Sequence, residues 1–155
     1  MAGLIEKRLT ELGITLHTPA SPIANYVGFV RTGNLLVVSG QVCIDPAGKF
    51  VATGRLGENV TIEAGQIAAR QCALNLCAQL KVALGDLDKV VRVIRLGGFI
   101  SSTHDFYESA AVMNGASDFM VEVFGDKGRH ARTTIGVASL PRNAAVEVEG
   151  MFEVA

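Results

Sequence analysis

The residues in this chain best suited to chemistry lie near its C-terminus, in "HARTTIGVASLPRNAAVEVEG" at positions 130–150. Arg132 opens an apolar run, and Glu147 and Glu149 interrupt another. A guanidinium presents a planar fork of donors that matches a carboxylate with two parallel hydrogen bonds. A glutamate beside a bound molecule can hold a water and move a proton. The two runs flank "LPRN" and read as a closing hairpin. Side chains alternate faces along a strand, so Ala144, Val146, Val148, Gly150, Phe152 and Val154 share one face. On that pattern Arg132, Thr134, Gly136 and Ala138 leave the apolar face of the earlier strand, and Arg132 and Glu147 look out from the same side of the sheet. Two readings fit: a solvated outer face, or a packed subunit interface of small residues, with Met151, around a pocket.

Other reactive residue types form no constellation. His17, His104 and His130 have no triad spacing, and His130 reads as loop surface. Cys43, Cys72 and Cys77 show no CxxC or Cys/His metal pattern, and Cys72 and Cys77 fall in a helical stretch as reduced core residues. No His/Cys/Asp cluster calls for a metal, and no cofactor is expected.

Those side chains need elements to hold them. Leu4, Ile5, Leu9 and Leu12 make a helical stripe over residues 3–12, ended by Gly13. "YVGFVRTGNLLVVSGQVCI" reads as two strands around a Thr-Gly-Asn turn. A long helix starts at the N-cap Thr61 and stops near Gly85. "KVVRVIRLGGFIS" is a strand in which Gly97 and Gly98 mark a bulge or a close approach. Residues 102–125 give a second long helix, and the hairpin closes the chain. This order predicts an α+β fold, one mixed sheet with two long helices on one face. The 155 residues, 49 % of them hydrophobic, suit a single folded domain, 1–155, with 1–20 as an N-terminal helix and loop extension. The formal net charge of −1, with 7 Phe, 2 Tyr and no Trp, argues against a nucleic-acid surface. No stretch reaches transmembrane length and no leader pattern opens the chain, so a cytoplasmic protein without a membrane partner is expected.

"NYVGFVRTGNLLVVSGQV", "MNGASDF", "HARTTIGVASLP" and "AAVEVEG" together resemble the RidA/YjgF family, the reactive intermediate deaminases also called L-PSP endoribonuclease-like proteins. The resemblance runs from about Ile23 to Val154. It implies a chorismate-mutase-like fold and a homotrimer with clefts between subunits. It implies hydrolysis of enamine and imine intermediates (2-imino acids) to 2-keto acids and ammonia, without a metal. By the same resemblance Arg132 holds the substrate carboxylate and Glu147 is the pocket glutamate. Tyr26, Ser39, Gly40, Asn114 and Thr134 become substrate-binding residues. The chain departs from the family pattern where His130 replaces a proline, Thr134 a cysteine, and Ala24-Asn25 a Gly-Pro pair. The second helix and the loop after it are also longer than usual. A trimer that binds small carboxylate-bearing metabolites without turning them over is the alternative; an endoribonuclease is the weakest reading, given the charge.

Overall fold

The computed structural model describes residues 3–155; Met1 and Ala2 of the expected 1–155 domain lie outside it. A short helix α1 (Leu4–Glu11) comes first, then strands β1 (Phe29–Thr32) and β2 (Leu35–Val42) around Gly33, whose positive φ of 59° makes the tight turn. Helix α2 (Ile62–Leu84) begins at Thr61, whose hydroxyl accepts a hydrogen bond from the Ala64 amide at 3.1 Å, and ends at Gly85 in the left-handed conformation. Strand β3 (Val90–Ser101), helix α3 (Ser109–Phe124), strand β4 (Ala131–Val137) and strand β5 (Val146–Val154) complete the chain. The α+β expectation holds: one five-stranded sheet in the order β1-β2-β5-β3-β4, with α2 and α3 packed on one face. Helix α3 is shorter than the sequence suggests, because residues 102–108 form an irregular segment before it.

The core lies between the helices and the sheet. Val146, Val148, Phe152 and Val154 of β5 and Leu96 and Ile100 of β3 meet Ala69, Leu76 and Leu80 of α2 and Met113, Phe119 and Met120 of α3. Burial of each large apolar side chain here is worth about 1.5–3 kcal/mol. Cys43, Cys72 and Cys77 are buried and unpaired in disulfides, as their helical and strand contexts suggest. The two glycines of β3 are points of close approach: a Cβ on Gly98 would strike Met113, and one on Gly97 would lie 2.8 Å from the Glu149 carboxylate. Helix α1 is fastened by Asp88, whose carboxylate accepts from the amides of Leu4 and Ile5 at 2.8 Å each, and by the 2.6 Å Lys81–Glu6 ion pair. Among the described residues no helix is long and apolar enough to cross a membrane.

Two expectations fail, and both failures move functional residues. β4 and β5 do not form a hairpin. β3 runs between them, parallel to β4 and antiparallel to β5. The connection between β4 and β5 passes the C-terminal end of β3, with Arg142 and Asn143 at positive φ in a short helical turn. The second failure follows from the pairing. Arg132 is in register with Leu96, itself opposite Gly150, so Arg132 points to the helix side. Glu147 is in register with Phe99, as is Ile135, so Glu147 points to the open face. Thr134 and Gly136 therefore leave the open face as well, and Ala138 lies beyond the end of β4. That face carries Val30, Val37, Phe99, Ile135 and Met151 instead, with Val30 56 % and Ile135 48 % exposed.

Candidate functional site

The seven residues singled out in the sequence separate into two groups. The first group lines a cleft of about 430 Å³ between the N-terminal loop and the β2–β5 pair, where Tyr26, Ser39, Gly40 and Glu147 meet. The β2–β5 register shifts between Val38 and Gln41, and this irregularity holds Ser39 and Gly40 against the start of β5. Glu147 packs so closely on Gly40 that a Cβ there would overlap its carboxylate and push the side chain aside. The Ser39 hydroxyl donates to the Val27 carbonyl at 2.6 Å, so it pins the chain entering β1 and has no proton left to offer a ligand. Tyr26 is 59 % exposed at the rim. Glu147 has no hydrogen-bond partner among the described residues. Burial, and then the neighbouring Glu149 carboxylate, push its pKa above the ordinary value of 4.5.

The second group stands at the other edge of the sheet. Ala110, Asn114 and Ser117 recur at i, i+4 and i+7 on one face of α3. Arg132 reaches this face: Nη1 donates to Asn114 Oδ1 at 2.9 Å and to Ser117 Oγ at 3.1 Å, and Nη2 donates to the Ala110 carbonyl at 3.3 Å. Among the described residues Nε–H and the second N–H of Nη2 have no partner. Those two nitrogens border one edge of the guanidinium, the edge that takes a carboxylate side-on. No carboxylate pairs with Arg132 among the described residues, although five other ion pairs form. Thr134 is half-buried two residues on, and its hydroxyl oxygen is buried without a partner.

One chain cannot bring the two groups onto one small molecule. Glu147 on β5 and Arg132 on β4 are separated by β3, two strand spacings or about 10 Å, and they project from opposite faces. Two residues joined to the second group were not foreseen. His130, expected at the loop surface, is half-buried, with Nε2 2.9 Å from Ser117 Oγ and Nδ1 2.6 Å from the Gly128 carbonyl. Ser117 is the other, and Asn114 three residues before it is the sequence sign that this helix carries a polar edge.

The family model described as "YjgF/chorismate mutase-like, putative endoribonuclease" matches residues 6–153. Protein TCP17 of Trypanosoma cruzi is 47% identical over 154 residues, 99% of this chain and 96% of that protein. A 2-iminobutanoate/2-iminopropanoate deaminase of Dermatophagoides farinae is 29% identical over 141 residues, covering 90% of this chain and 94% of that one. The crystal structure of Atu1372 from Agrobacterium tumefaciens, a protein of unknown function, matches with a TM-score of 0.90 at 48% identity, covering 98% of this chain and 94% of that one. The parallel β3–β4 edge, the two helices on one face and a family match over nearly the whole length lead to one conclusion: this chain belongs to the YjgF/RidA family, with its chorismate-mutase-like fold.

Proposed function

We propose that this protein is a hydrolytic deaminase of 2-imino acids, working as a homotrimer in which Arg132 of one subunit and Glu147 of its neighbour face one cleft. The observation that carries this reading is the complementary incompleteness of the two groups. Arg132 is a guanidinium anchored by neutral acceptors with a carboxylate-binding edge left open. Glu147 is a carboxylate without a partner whose pKa is held up by burial. The open sheet face, with Val30, Phe99, Ile135 and Met151, supplies apolar surface for the assembly. A deaminase of 2-iminobutanoate and 2-iminopropanoate among the relatives supports the substrate class.

The chemistry follows from the groups. Arg132 binds the carboxylate of the imino acid and fixes the plane of the adjacent C=N group. A water held by Glu147 adds to the carbon of the protonated imine and gives its proton to the carboxylate, forming a carbinolamine. That proton passes to the nitrogen, the carbinolamine hydroxyl returns its own proton to Glu147 as the C–N bond breaks, and a 2-keto acid and ammonia leave. Tyr26 and Gly40 shape the wall around the reacting carbon, and Asn114 and Thr134 border the carboxylate. This reading needs no metal or cofactor in the reaction.

The test is direct. Purified protein is added to 2-iminopropanoate generated in the assay, and ammonia release is followed, while light scattering gives the mass in solution. Accelerated release by a trimer is expected. A monomer at micromolar concentration would remove the shared cleft; a trimer that binds 2-oxopropanoate but leaves the hydrolysis rate unchanged would make the protein a metabolite binder.

A further inference from the structure

The loop that leads into β4 holds a second feature, and it touches Arg132 only through Ser117. The Gly128 carbonyl can only accept, so the 2.6 Å contact puts a proton on His130 Nδ1. The neutral ring then has a lone pair on Nε2, 2.9 Å from Ser117 Oγ, and the serine must donate its proton there. That leaves the Ser117 oxygen as an acceptor, which Arg132 Nη1 uses at 3.1 Å. Every donor and acceptor in the chain Arg132 to Ser117 to His130 to Gly128 agrees with this single tautomer. Burial holds the His130 pKa below its ordinary value, against the Gly128 hydrogen bond and with the charge of Arg132.

We propose that Ser117 and His130 are positioning residues, a relay that runs from the Gly128 carbonyl through His130 and Ser117 and fixes the Arg132 guanidinium against α3, so that its Nε/Nη2 edge meets the substrate carboxylate in one orientation. This rests on the reading of Arg132 as the carboxylate clamp. The physical need is plain. Arg132 is exposed, lies on an edge strand and has no ion-pair partner among the described residues to hold it. Asn114 on Nη1 and the longer 3.3 Å bond from Nη2 to the Ala110 carbonyl leave the second N–H of Nη1 unheld; a second acceptor on that nitrogen completes the anchoring. Ser117 is that acceptor, and a hydroxyl rotates unless something takes its proton. His130 takes it. The relay therefore governs the direction of the bound imino acid, a requirement for attack on one carbon from one side.

The test uses four single variants and one double variant of the full chain, with 2-iminopropanoate as substrate and 2-oxopropanoate as binding probe. Ser117→Ala and His130→Leu are each expected to lower kcat/KM about tenfold, with kcat falling more than affinity for 2-oxopropanoate. The double variant Ser117→Ala/His130→Leu is expected to be no worse than the poorer single variant, because both break one relay. His130→Gln keeps an acceptor within reach of Ser117 and is expected to recover most of the loss. Wild-type rates for Ser117→Ala and His130→Leu, or losses that multiply in the double variant, would overturn the relay while leaving the clamp standing. Arg132→Ala at the wild-type rate would remove the clamp itself, and the relay with it. If the variants fail to fold, the imidazole nitrogen spectrum of the wild-type protein decides: the Nδ1–H tautomer is expected for His130, and the Nε2–H tautomer overturns the relay.

Discussion

Arg132→Lys separates charge from geometry at the proposed carboxylate site. In the native side chain, Nη1 is fully used by Asn114 and Ser117, and Nη2 gives one N–H to Ala110. Two parallel donors remain for a ligand. Lysine has three donors on one nitrogen. Held by Asn114 and Ser117, it keeps one for the carboxylate; released from them, it gains donors but loses its anchor. In both cases the variant forfeits one charge-assisted hydrogen bond and the fixed plane. Hydrogen bonds to charged groups are worth about 1.5–3 kcal/mol, and 1.4 kcal/mol is tenfold, so kcat/KM should fall by roughly 10- to 150-fold. The steady-state rate of ammonia release from 2-iminopropanoate, measured beside Arg132→Ala, reads this out. Arg132→Lys should keep a residual affinity for 2-oxopropanoate that Arg132→Ala lacks. Folding should be unaffected, since Arg132 is exposed at the edge of the sheet. Wild-type turnover by the lysine variant would refute the two-bond clamp, and loss of the folded state would make Arg132 a structural residue.

Glu147→Gln should remove the acid limb of the pH–rate profile, a limb that in the native protein lies above the ordinary carboxylate value of 4.5 because burial and Glu149 raise the pKa. The same shift has a stability sign. A raised folded pKa favours the folded state fully below the unfolded value, and this contribution is lost as pH rises through the folded one, so Glu147→Gln should gain in melting temperature over native protein as pH rises to neutral and lose that gain near pH 4. Gly40→Ala should displace the Glu147 carboxylate, and turnover should fall far more than melting temperature; unchanged kinetics would mean that the carboxylate moves freely and is not held for the reaction. Thr61→Ala removes the cap of α2, and chemical denaturation should show a loss of about 1 kcal/mol with kcat intact.

What could be read from the sequence was what local physics decides. The ends of α2 were legible because Thr61 and Gly85 act on their own neighbours, a hydroxyl meeting an open amide and a glycine adopting a left-handed backbone. The β1–β2 hairpin was legible because Thr-Gly-Asn leaves its two strands no other short connection. The last two strands were misjudged because pairing is not local. "LPRN" looks like a turn whether the strands on either side of it touch or are split by a third. The sign that β3 divides them lay in β3 itself: twelve residues with Val90, Val93, Leu96 and Ile100 toward the helices and Phe99 toward the other face belong to a strand with neighbours on both edges.

The faces of the site residues followed the same mistake. Alternation along β4 correctly separates Arg132 and Thr134 from Thr133 and Ile135, but it does not say which set meets the helices. The apolar Ile135 suggested the helix side, and on an edge strand that inference weakens, because α3 offers β4 a partly polar surface in Asn114 and Ser117 rather than a dry one. A long guanidinium fits under such an edge, with its stem along the strand and its head on helix acceptors. The apolar Ile135 is then pushed to the open face, where a neighbouring subunit would cover it. Once the faces are exchanged, Arg132 and Glu147 lie on opposite sides of one sheet. Among the described residues neither group is complete alone: the arginine lacks an acid to pair with, and the glutamate lacks a donor. In the closed ring of identical chains proposed above, each subunit would contribute one group to the cleft before it and the other to the cleft behind it, and the opposite-face arrangement that excludes a site within one chain suits that assembly.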